Sequence, residues 1–172
     1  MRNIIFIISL IFFISCDEVD ITQNTSRGLV INEFLASNDE CCPDESNDYD
    51  DWVELYNDTP DAIDIGGMYF TDTPNDDNPY QIPSTDPLKT TIPSKGYLLI
   101  WCDDDQEQGP THVSKKLKKG GESIILISSD KISIVDSLTF SEQNTDISMG
   151  RDPNNFEEWV FFNTPTPGAK NN

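Results

Sequence analysis

The residues of this chain best equipped for chemistry are carboxylates. Asp39-Glu40, Asp44-Glu45, Asn47-Asp48 and Asp50-Asp51 crowd one short stretch, and Asp103-Asp104-Asp105 with Glu107 form a second group. A hard cation such as Ca2+ takes about six to eight oxygens from carboxylates, amides and carbonyls, and Asp/Asn-rich loops supply them. Asp39, Asp44, Asp48, Asp50, Asp103 and Asp105 are therefore the candidate calcium ligands, provided that the two loops meet at one end of the fold. Their spacing does not follow the Asp-x-Asp-x-Asp-Gly calcium loop, and acidic loops are also simply well solvated, so both readings stand.

Cysteine gives the second candidate chemistry. Cys41, Cys42 and Cys102 are disulfide candidates, and a bridge from Cys41 or Cys42 to Cys102 is the favoured reading, because in an oxidising compartment it would clamp the two acidic loops. The alternatives are a bridge within the adjacent pair, or a zinc site of the three cysteines with His112. Zinc ligands usually stand two to four residues apart so that both can face the metal, which adjacent cysteines do badly.

Catalysis finds little support. His112 is the one histidine, and neither a Gly-x-Ser-x-Gly elbow nor a phosphate-cradling glycine loop occurs. With 31 acidic residues, any one carboxylate pair suited to glycoside hydrolysis is uninformative. Tyr49, Tyr69 and Tyr80 offer rings for stacking on sugars, but core or hairpin packing explains them as well. No catalytic residue is assigned, and the chain reads as a non-enzyme.

The elements that must position these groups are strands. Short runs rich in β-branched and aromatic residues recur between clusters of Pro, Gly, Asn and Asp, the pattern of a β-sandwich or barrel. Strands are expected at Leu29 to Leu35, Trp52 to Tyr56, Met68 to Thr71, Gly96 to Cys102, His112 to Leu117, Ser123 to Ser128, Ile132 to Phe140 and Trp159 to Phe162. Alternation puts Val53 and Leu55 on a buried face opposite Trp52, Glu54 and Tyr56, and places Val30, Asn32 and Phe34 opposite Ile31, Glu33 and Leu35. The apolar run Tyr97 to Trp101 suggests a central strand covered on both faces. Lys118-Lys119-Gly120-Gly121-Glu122 suggests a tight hairpin. Asp72 to Pro93, with its five prolines, reads as a long surface excursion of the kind that often carries function.

The N-terminus bears on location. Arg2 precedes an apolar run from Ile4 to Ile14, broken only by Ser9, which is shorter than the roughly 20 residues a membrane span needs. It reads as a signal peptide over residues 1–15. Ser15-Cys16 resembles the bacterial lipobox, with Phe13 where leucine is usual, so Cys16 is the expected lipidation site. Residues 16–27, beginning Cys16-Asp17-Glu18-Val19-Asp20, read as an acidic flexible tether and resemble export signals of bacterial surface lipoproteins. The expected location is the bacterial cell envelope, as an outer-membrane lipoprotein that is surface-exposed if the export signal operates. The formal net charge of −20 argues against nucleic acid as a partner, because binding to phosphates rests on counterions released by Lys and Arg.

The order of several blocks across residues 28–172 resembles the lamin-tail domain. They are Val30-Ile31-Asn32-Glu33-Phe34-Leu35-Ala36-Ser37-Asn38, Asp51-Trp52-Val53-Glu54-Leu55-Tyr56-Asn57, Ile63-Asp64-Ile65-Gly66-Gly67-Met68-Tyr69-Phe70, Gly96-Tyr97-Leu98-Leu99-Ile100-Trp101, Gly150-Arg151 and Thr164-Pro165-Thr166-Pro167-Gly168-Ala169-Lys170-Asn171. The resemblance implies an immunoglobulin-like β-sandwich with no enzymatic activity, working as a binding or assembly module. The partners expected are a membrane, through the lipid, and a protein or glycan ligand. Other roles weighed are an accessory protein beside a secreted nuclease or carbohydrate-active enzyme, and a calcium-dependent adhesin. Glu33 and Glu54 lie on strands and need a partner if they face inward. The fork-shaped guanidinium of Arg151 is the expected one, forming an ion pair that ties the C-terminal strands to the first sheet.

Overall fold

The computed structural model describes residues 26–172. Cys16, the signal peptide and all of the tether but Ser26 and Arg27 lie outside the described residues. The described residues hold twelve strands: β1 (Leu29–Leu35), β2 (Trp52–Asn57), β3 (Ile63–Asp64), β4 (Tyr69–Thr71), β5 (Tyr80–Gln81), β6 (Thr91–Ile92), β7 (Tyr97–Cys102), β8 (His112–Val113), β9 (Ser123–Ile127), β10 (Ile134–Thr139), β11 (Ser148–Arg151) and β12 (Trp159–Phe162). A single helical turn, α1 (Pro87–Thr90), and a 3-10 turn (Gln106–Gln108) complete the inventory. Among the described residues no helix is long and apolar enough to cross a membrane.

Six strands form one sheet in the order β12-β11-β1-β2-β7-β8, four form a second in the order β10-β9-β4-β5, and β3 pairs with β6. Ile31, Phe34, Val53, Leu55 and Ile100 of the larger sheet share one core with Phe70, Ile124 and Leu126 of the smaller. Phe34 packs on Phe140 with ring centroids 4.6 Å apart. The molecule is a β-sandwich, one of the two architectures that the strand pattern allowed, and is of the immunoglobulin-like kind that the resemblance implied.

Several local expectations change. In β1 the partner register on β2 shifts between Ile31 and Glu33. This bulge adds a residue to one face, so Leu29, Ile31, Phe34 and Ala36 all belong to the core, instead of Phe34 siding with Val30. Asn32 and Glu33 are both left to the outer face. Trp52 and Glu54, on the face opposite the expected buried pair Val53 and Leu55, are fully buried as well.

The β7 strand is second from the sheet edge rather than central. Its neighbour β8 pairs only with Trp101 and Cys102, which leaves Tyr97, Leu98 and Leu99 half-buried. The Lys118–Glu122 turn is not a hairpin, because β8 and β9 belong to different sheets. Its Gly121, at φ +106°, brings the chain so close to Phe140 and Ser141 that a Cβ would meet the Phe140 carbonyl at 2.6 Å. The excursion from Asp72 to Pro93 holds β5, α1 and β6, and it delivers Ile82 and Ile92 to the core, fully buried. Apolar anchors of that kind turn a Pro- and Asp-rich stretch into packed structure.

Candidate functional site

Two polar centres stand on the larger sheet. The first begins at the β1 bulge. Glu33 sits opposite Glu54 across the β1–β2 ladder, and both side chains are fully buried. Two carboxylates in that relation repel one another unless donors surround them. The donors come from the end of the chain. Thr166 donates its backbone N–H (3.1 Å) and its hydroxyl (2.7 Å) to Glu33, which also accepts from the Ser148 hydroxyl. Gly168 N–H and Asn32 Nδ2 donate to the two oxygens of Glu54. Asn171 completes the arrangement, accepting from Asn32 Nδ2 at 2.7 Å and donating to the Arg151 carbonyl at 2.8 Å. Residues 164–171 thus strap the outer face of the sheet. Gly150 makes room for them, since a Cβ there would lie 2.7 Å from Asn171 Nδ2. Burial, reinforced by the Glu33 charge, raises the Glu54 carboxyl to about 8 despite these donors.

Arg151 does not join this centre. Ser148 and Gly150 face the outer side where Glu33 lies, and the pleat turns the next residue the other way. Arg151 accordingly donates to Asp136 Oδ2 (2.8 Å), the Ile31 carbonyl (2.7 Å) and the Phe156 carbonyl (3.1 Å). Asp136 also accepts from the Ile31 N–H at 2.9 Å. The expected tie from the C-terminal strands to the first sheet is made, but the carboxylate belongs to β10 rather than being Glu33 or Glu54.

The second centre is the acidic end. The loop after β1 and the loop after β7 meet there, with the Ser46 hydroxyl donating to Gln108 Oε1 at 2.8 Å. Burial and the charges of Asp103, Asp44 and Asp48 raise the Asp50 carboxyl, so four of the six calcium candidates share one neighbourhood. Asp39 stands apart, its exposed backbone N–H bound to Asp146 Oδ1 (2.8 Å). The Asp105 N–H closes a turn onto Asp103 Oδ1 (2.9 Å), and its carboxylate accepts from Gln108.

His112 lies at the centre of this end, almost fully buried, with Nδ1 bound to Asp103 Oδ2 and Nε2 3.6 Å from Glu45 Oε2. Asp44 Oδ1 accepts from the Ser46 and Asp48 N–H groups, at 2.8 Å each. Its Oδ2 is buried and accepts from nothing. Sequence alone did not pair Glu45 with His112, which was weighed as a catalytic group and as a zinc ligand beside the cysteines. The one legible signal was that His112 is the single histidine of a chain rich in carboxylates.

The cysteines follow the adjacent alternative. Cys41 bonds to Cys42, and Cys102 is a free, buried thiol in β7. The favoured bridge to Cys102 is therefore absent, and so is any set of three thiolates around His112. A bridge was not required to join the loops, because the Ser46 hydroxyl reaches Gln108 across them, while Asn38 holds the first loop together, receiving at its side-chain oxygen the Cys41 N–H and donating to the Asp50 carbonyl. Burial raises the Cys102 thiol well above its usual range.

Comparison with protein families bears on the whole arrangement. The model of the family described as "LTD: Lamin Tail Domain" matches residues 22–142, well over half of the chain. The chain belongs to the lamin tail domain family. No curated protein and no solved structure matches it. The matched stretch of this lamin tail domain ends before β11, yet β11 pairs with β1 and β12 with β11 in the same sheet. The strap over Glu33 and Glu54 likewise lies beyond it.

Proposed function

We propose that this lamin tail domain is a non-catalytic binding or assembly module, fastened to the bacterial envelope by a lipid on Cys16 and reaching its partner beyond the membrane. The observation that carries the reading is the incomplete edge of the larger sheet. On the side of β7 away from β2, the two residues of β8 pair only with Trp101 and Cys102 and leave Tyr97 to Leu99 without a strand, beside a groove of about 380 Å3 lined by Leu98, Leu99, Trp101 and Gln108. An unpaired edge next to half-buried apolar side chains accepts an extended segment by strand addition, with main-chain hydrogen bonds giving affinity and the groove giving selectivity.

Labelling with palmitate tests the anchor. The wild-type chain is expected to take up the fatty acid and Cys16→Ala to lose it, while protease shaving of intact cells removes the domain. Recovery of the whole protein from culture supernatant without fatty acid would end the anchored reading. Glycan arrays and calcium-dependent cell aggregation separate a protein partner from the carbohydrate-accessory and adhesin roles.

A further inference from the structure

Beyond that reading, and independent of the anchor, we propose that Asp44, Glu45 and His112 form a binding site for a divalent transition metal of borderline softness, for which Zn2+ is the probe. One carboxylate oxygen from each acid and one imidazole nitrogen lie within 4.8 Å of one another. Ligands about 2.0–2.2 Å from a tetrahedral ion stand about 3.4 Å apart, so closure needs only a small inward movement. Glu45 can supply it, since its side chain is 80% exposed.

Three features distinguish this trio from an ordinary acidic cluster. Asp44 is only 7% exposed, its Oδ1 is held by two backbone N–H groups, and its Oδ2 has no partner at all. A buried carboxylate oxygen without a donor is costly, and a cation relieves it. Next, His112 Nδ1 is bound by Asp103, whose side chain is 2% exposed. A carboxylate behind the imidazole fixes the proton on Nδ1 and leaves the Nε2 lone pair free to ligate, the usual arrangement of metal-binding histidines. Finally, a nitrogen with two carboxylates suits zinc-like ions and falls well short of the oxygen count that Ca2+ takes. His112 and Glu45 also line the groove beside β7, so a fourth coordination position would open there to water or to a donor from a partner.

The test is a zinc titration of the full chain in detergent, read by calorimetry and by long-range proton–nitrogen NMR of the imidazole. His112 is the sole histidine, so the spectrum reports on this ring alone. One Zn2+ per chain is expected to bind at micromolar concentration or tighter and to move the Nε2 resonance, with no effect from millimolar Ca2+. Asp44→Asn should weaken binding at least tenfold, and Asp103→Asn, which acts through the ring, by about 10–100-fold. Should His112→Gln fail to fold, the NMR signal of the wild type decides alone. An imidazole unmoved at saturating Zn2+, binding indifferent to Asp44→Asn, or an imidazole doubly protonated at neutral pH with no heat of binding would each overturn the site.

Discussion

The two polar centres of this sandwich use the same residue types to opposite ends. On the outer face, Glu33 and Glu54 are buried more completely than any carboxylate of the acidic end, and all four of their oxygens accept hydrogen bonds from the chain itself. At the acidic end, Asp44 keeps a buried oxygen with no donor, and His112 turns its second nitrogen towards an exposed glutamate. Buried charge alone therefore does not mark a functional site. What separates the centres is whether the chain supplies the last partner or leaves the position open.

The sharpest way to break this contrast is to remove an acceptor from the closed centre. Glu33→Ala strands the Ser148 hydroxyl and both donors of Thr166, and should cost about 3 kcal/mol in denaturant unfolding. A loss under 1 kcal/mol would show that the strap contributes little. Next in size, Arg151→Ala removes three donors that bind β10, β1 and the Phe156 turn, with an expected loss of about 2 kcal/mol and a lowered melting temperature.

The pH dependence comes third. The Glu54 carboxyl is raised to about 8 in the folded chain from an ordinary 4.5. The folded state thus holds a proton that the unfolded state releases, and the stability present below pH 4.5 is lost as pH climbs through 8. Asp51, raised by burial to about 6, acts with the same sign but only at the lower end of that range. Between pH 6 and 8 stability should fall by at most about 2.7 kcal/mol, at about 1.4 kcal/mol per pH unit. Glu54→Gln, though less stable at pH 5, should be flat over that interval in urea titrations, and an unchanged slope would reassign the effect. The smallest effect belongs to the open centre. Asp44→Asn keeps the oxygen that caps Ser46 and Asp48, so without added metal its stability should stay within about 0.5 kcal/mol of wild type.

Much of the framework was legible in sequence. Leu29 to Leu35, Trp52 to Tyr56 and Gly96 to Cys102 declare themselves as strands by β-branched and aromatic content, each within one residue of the observed bounds, and the ordered blocks identified the family. β11 was not legible as a strand, because Ser148-Met149-Gly150-Arg151 has weak strand preference and is held by β1 on one side and β12 on the other. The bulge in β1 was equally hidden, and it decides which of Asn32, Glu33 and Phe34 faces the core. The Thr164–Asn171 block was recognised as a pattern, but its purpose depends on carboxylates more than a hundred positions earlier. For the acidic end, the meeting of the two loops was foreseen. The gathering of Asp44, Glu45 and His112 was not, since no local spacing relates the histidine to the acids.

The placement of β1 bears on the order in which the domain can be completed. This strand, among the first to emerge, is flanked on one side by β2 and on the other by β11, from near the far terminus. Until β11 arrives it must wait as an unfinished border with its acids still hydrated. A chain stopped before Ser148 should accordingly show rapid amide exchange along β1, and maturation of the sandwich becomes a checkpoint that is passed only once β11 is in place.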